Sequence, residues 1–142
     1  MKSRDTLIRL KRFQVDEKRR QVSQIEAMVA EFDRMAADLD REIAVEQERA
    51  GITDVSHYAY PTYARAAMAR RDNLKRSADE LAGQLEDARM ALAEAFEELK
   101  KVELLEERDQ ARDRGAEAAR EQADLDSIAI EGHGRGRSLR IG

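Results

Sequence analysis

The side chains able to do chemistry are few and scattered. His57 and His133 are the only histidines and lie far apart, and there is no Cys, so the chain offers no thiol nucleophile, thiolate metal site or disulfide framework. The 30 Asp and Glu residues are spread around helix surfaces, the pattern of a solvated face rather than of paired catalytic carboxylates. The run GHGRG at 132–136 is glycine-rich, but it lacks the Lys-Ser/Thr that follows and the strand that precedes a phosphate loop, and it reads as a basic tail. No catalytic, metal-binding or cofactor-binding residue is expected, and the chain is not expected to be an enzyme. The chemistry that remains is recognition by surface side chains.

Two groups could carry it. Tyr58, Tyr60 and Tyr63 are all the tyrosines in the chain and gather around Pro61, the only proline. They either plug the end of a helical hairpin or present an aromatic anchor to a protein partner. The second group is Leu10, Phe13 and Leu104, accompanied by Arg4, Arg9 and Arg12. A local register shift would bury these apolar residues; otherwise they form an apolar and basic tip that inserts into another protein.

The elements that must position both groups follow from composition. Charged residues are 39% of the 142, aromatics 4%, and Ala, Glu, Lys, Leu and Arg make up just over half of the chain. This mix suits long helices or a coiled coil better than a large core, because bulky apolar side chains are too few to offset backbone entropy. No apolar run approaches the length of a membrane span, and the opening MKSRDTLIRLKRFQ has no continuous apolar stretch of a secretory signal, so a cytoplasmic location is expected. The net charge of −4 argues against nucleic acid as the main partner.

Gly51 and Pro61 bracket the one strong break. Helix 1 is expected over about 2–50, the turn over about 51–60 and helix 2 over about 61–125. Residues 1–125 thus form one hairpin, and 126–142 a flexible, disordered tail rich in glycine. Both helices carry heptads. In helix 1 the seam is Ile8, Val15, Val22, Val29, Ala36 and Ile43, with Lys11, Lys18, Ile25, Phe32 and Leu39 beside it. In helix 2 it is Ala64, Arg71, Ala78, Leu85, Leu92 and Leu99, with Ala67, Leu74, Leu81, Ala88, Ala95 and Val102. Five heptads on each side predict an all-α fold, an antiparallel two-helix coiled coil.

Pairing residues whose numbers sum to 110 sets large against small in most layers, as in Val22/Ala88 and Phe32/Ala78. The paired stretch is then about 53 Å long at the helical rise. Lys11, Lys18 and Arg71 interrupt the seam, with stems able to lie on it while their charges reach water. Charge selects the same direction. Residues 2–20 hold eight basic and three acidic side chains and would face 86–109, with nine acidic and four basic. Arg12 with Glu103, Glu26 with Arg89 and Asp40 with Lys75 are the expected flanking pairs. A parallel pair would set the basic segment against itself.

The opening KSRDTLIRLKRFQVDEKRRQ, then IEAMVAEFDRM, a break, and YARAAMARRDNL resemble the FliJ family of bacterial flagellar proteins, over residues 2 to about 110. The resemblance implies a cytoplasmic component of the flagellar type III protein export apparatus, peripherally associated with the membrane. It implies a coiled coil similar to the stalk of rotary ATPases. Its partners would be the hexameric flagellar export ATPase, the cytoplasmic domain of the membrane export gate, and export chaperones, with no small-molecule substrate and no cofactor. In that frame the open end would meet the ATPase and the turn a second partner. Two alternatives stay open: the stalk of a related virulence-type secretion system, and a structural coiled-coil adaptor or export chaperone without an ATPase.

Overall fold

The computed structural model describes the backbone of residues 2–141 and the side chains of residues 3–133. Two helices account for it: α1 spans Lys2–Ala50 and α2 spans Thr62–Ile141. The chain divides into two compact units, one formed by Arg9–Glu98 and the other by Met1–Ile8 with Leu99–Gly142.

The Arg9–Glu98 unit is an antiparallel α-hairpin. α1 contains no Gly or Pro and ends with Arg49 in its last turn, where a cation complements the helix dipole. Gly51 stops it. At φ 68° this residue occupies the left-handed region that costs glycine least, and its N–H donates to the carbonyls of Gln47 (2.9 Å) and Glu48 (3.2 Å). The Ile52 N–H donates to the same Gln47 carbonyl at 3.3 Å, which completes a Schellman cap. α2 opens when the Arg65 N–H donates to the Pro61 carbonyl at 3.1 Å. Pro61 thus caps the helix from one position outside it, where its missing N–H costs no hydrogen bond.

The seam follows the heptads. Val15, Val22, Ala36, Leu39 and Ile43 of α1 are buried, as are Ala64, Ala67, Ala78 and Leu85 of α2. Ile25, Val29, Phe32, Leu74, Leu81, Ala88, Leu92 and Ala95 are half-buried, because a two-helix coil has no third element to cover its edges. One core cluster joins Leu39, Ile43 and Ala67, with Met68 and Leu74 against them.

Ion pairs place the helices in register. Lys11 meets Glu98 at 2.8 Å, Arg71 meets Asp40 at 2.9 Å, Arg89 meets Glu26 at 3.7 Å and Lys75 meets Asp40 at 4.0 Å. Their residue numbers sum to 109, 111, 115 and 115, as an antiparallel pairing in one register requires. Lys11 and Arg71 are two of the three charged residues that interrupt the seam, and their side chains remain 23% and 20% exposed while the charged ends reach carboxylates. Such pairs contribute about 0–1 kcal/mol each, so they choose orientation more than they add stability.

In the second unit Ile8 and Leu99 are buried and Val102 is half-buried. Arg4 reaches Glu106 at 3.6 Å, Asp109, and the carbonyl of Leu105 at 3.5 Å. From Gln110 to His133 every side chain is exposed. α2 runs on past residue 125, to Ile141. Residues 121–131 contain no Gly or Pro to interrupt it. The part of the tail expectation that concerns Gly142 and the side chains from Gly134 lies outside the described residues.

Candidate functional site

The tyrosine cluster separates into three environments. Tyr60 is 4% exposed and belongs to the core. Its hydroxyl accepts a hydrogen bond from Gln47 Nε2 at 2.9 Å and contacts Met68 Sδ at 3.3 Å, while the Arg65 guanidinium lies 5.8 Å from its ring centroid. Tyr60 thus sits as a plug at the hairpin end, where both helices and the turn converge. Tyr63 is 55% exposed, and its hydroxyl donates to Glu42 at 2.6 Å. That carboxylate acceptor raises the phenol above its ordinary pKa. Tyr58 is 95% exposed and stacks on His57 with ring centroids 4.7 Å apart.

The turn that carries these rings is held by its own hydrogen bonds. Asp54 Oδ1 accepts from the Ser56 N–H at 3.0 Å and from the Ser56 hydroxyl at 2.7 Å, which holds the Asp54 carboxyl below its ordinary pKa. The Ala59 N–H donates to His57 Nδ1 at 3.0 Å, and Arg65 donates to the Val55 carbonyl at 3.0 Å. His57 is a structural acceptor in this loop, and its imidazole supports the stacked Tyr58.

The residues expected at the open end divide between the two units. Arg9, Leu10, Arg12 and Phe13 share the hairpin unit and one stretch of α1. Leu10 and Phe13 are 50% and 58% exposed, so the alternative in which they are buried does not hold. They stand three residues apart and so are neighbours on the helix surface; Arg9 lies four residues before Phe13 and Arg12 three after Arg9. Arg4 and Leu104 belong to the other unit. Arg4 is engaged with Glu106 and Asp109 there, and Leu104 is 56% exposed.

Two surfaces were not anticipated from the sequence. A groove of about 470 Å³ is lined by Leu92, Ala93 and Phe96 with Arg19 and Arg89 at its edges. Another, of about 530 Å³, is lined by Asp38, Glu42, Val45, Glu46 and Tyr63. The signal for the first is Ala93, a small side chain one turn before Phe96. Among the described residues no group of three or more His, Cys, Asp or Glu is placed to hold a metal, and no helix is long and apolar enough to cross a membrane.

Neither a curated protein nor a solved structure matches the chain. The family model described as the flagellar FliJ protein matches residues 1–138, which takes in α1, the turn and nearly all of α2. With that match and a hairpin of two long helices in hand, the chain belongs to the FliJ family and is a coiled-coil protein of flagellar protein export.

Proposed function

We propose that the protein acts as a non-enzymatic stalk in the hexameric flagellar export ATPase and links that ring to the cytoplasmic domain of the membrane export gate. The observation that carries this reading is the exposed pair Leu10 and Phe13, set beside Arg9 and Arg12 on a hairpin whose own seam does not need them. A stalk must be stiff and narrow, and a two-helix coil meets that need. Its tip needs charge to find an acidic ring lining quickly and apolar contact to hold it. Tyr58 is the residue that the turn offers to a second partner, with the gate as first candidate. The protein would then sit at the membrane through these partners.

The test is stimulation of the purified cognate ATPase by the purified chain. Leu10→Ser with Phe13→Ser is expected to keep helicity and melting nearly unchanged and to lose most of the stimulation. Tyr58→Ser is expected to keep stimulation and weaken gate binding. A folded open-end variant that stimulates like wild type would sink the assignment of that surface. A wild-type chain that neither co-purifies with the ATPase nor stimulates it would leave the structural adaptor as the reading.

A further inference from the structure

The exposed stretch of α2 beyond the hairpin has an order of its own. Leu104, Ala111, Ala118 and Leu125 recur every seven residues, so they form one apolar ridge along the helix. All four are exposed, Leu104 at 56% and Leu125 at 60%, and Ile128 beside them is 65% exposed. Next to the ridge runs a second heptad row, Lys100, Glu107, Arg114 and Glu121, also exposed and alternating in sign. Gly115 borders both rows, and a side chain there would meet nothing within 4 Å. A lone helix of this length draws little stability from propensity in water; packing of an apolar face supplies most of it.

We infer that this stretch is an interface for a second copy of the chain, packed antiparallel about a two-fold axis beside Ala111. The charge row chooses both the occupant and the direction. With the axis there, Lys100 of one copy faces Glu121 of the other, and Glu107 faces Arg114. Symmetry repeats each pair, so all four positions of the row meet opposite charge. The ridge sets Leu104 against Ala118 and Ala111 near its own copy, large facing small with small residues at the centre. A parallel, in-register pair would instead place Lys on Lys, Glu on Glu and Arg on Arg, which is repulsive at every position. The interface is isologous and closed, so it ends at a dimer rather than a filament.

The inference does not depend on the ATPase reading and is tested on the purified full chain. Because the chain has no Cys, single cysteines report contacts cleanly. Ala111→Cys is expected to oxidise to a disulfide-linked dimer, whereas Ala116→Cys, on another face of the helix, is not. Leu104→Cys is expected to link to Ala118→Cys in mixed samples and not to itself. Sedimentation should show mass rising with concentration from monomer to dimer. Ala111→Lys keeps a good helix former and sets two like charges together, so it should weaken the dimer by about tenfold or more without changing the hairpin's melting. Two results would overturn the inference: a chain that stays monomeric at all concentrations with Ala111→Cys linking no faster than Ala116→Cys, or Leu104→Cys linking to itself in preference to Ala118→Cys, which is the parallel arrangement.

Discussion

Tyr60 and Phe13 are both aromatics on the Arg9–Glu98 hairpin, yet Tyr60 is 4% exposed and Phe13 58%. The difference lies in what surrounds them. At the turn, α1, the connection and α2 meet, so Gln47 and Met68 contact the Tyr60 hydroxyl while Arg65 lies over its ring. Phe13 sits on the outer side of α1, where two helices leave two faces bare. An aromatic at the closed end completes the fold, and one on the outer face is left for something else. A coiled-coil hairpin therefore has one end whose residues are spoken for by stability and another whose apolar residues require a different account.

Substitutions at Tyr60 should have the largest effect on stability. Tyr60→Ala removes the buried ring and is expected to cost about 3 kcal/mol or more in denaturant unfolding. Tyr60→Phe keeps the ring and loses the bond from Gln47, at about 1 kcal/mol. Tyr58→Ser, two residues away, should stay within about 0.5 kcal/mol. If Tyr60→Ala costs no more than Tyr58→Ser, the ring is not the plug, and the contrast between turn and outer face disappears.

Phe32 should come next. It occupies a seam position, but it is half-buried rather than enclosed. Phe32→Ala therefore leaves a notch open to water instead of a dry cavity, and about 1–2 kcal/mol is expected, below the usual cost for a fully buried Phe. A loss as large as that for Tyr60→Ala would mean the coil's edge is closed by a further partner in solution. The pair Leu10→Ser and Phe13→Ser should cost less than either, because both side chains are already in water.

What could be read in advance follows the same division. The seam was legible because burial in a coil is decided by position modulo seven, and nearly every heptad residue from Ile8 to Leu99 is buried or half-buried. Register was legible because Glu26 with Arg89 and Asp40 with Lys75 are fixed once the seams are aligned. The fate of Tyr60 was not. Whether a loop aromatic turns inward depends on the path of the loop, here set by bonds from the His57 N–H to the Asp54 carbonyl and from the Tyr60 N–H to the His57 carbonyl. No periodicity encodes that path. The ion pairs of Arg4 were hidden for a related reason: its long side chain reaches carboxylates a helix away, and a run of basic residues does not reveal which of them find partners. The extent of α2 beyond residue 125 was hidden because glycines near the end outweighed the helix formers before them.

The smallest effect should come from the turn's own polar scaffold, and it separates a loop held by the fold from one held by itself. Asp54 accepts both the N–H and the hydroxyl of Ser56, and its carboxyl is held below its ordinary pKa of 3.8 by those bonds first, with the nearby His57 a lesser contribution. A depressed carboxyl favours the folded turn above the unfolded value and loses that contribution as pH falls through the folded one. The Ser56 amide resonance should therefore titrate at a pH below 3.8, while Tyr60 and the seam around Leu39 and Ile43 keep their native signals through the same range. Asp54→Asn should abolish the titration with little change in melting, because the carboxyl is exposed. A Ser56 titration at or above the ordinary value would show that the bonds do not persist in solution. Loss of the Tyr60 signals in step with Ser56 would show that the plug depends on the loop, and the closed end would then be a single cooperative structure reaching from Gln47 to Met68.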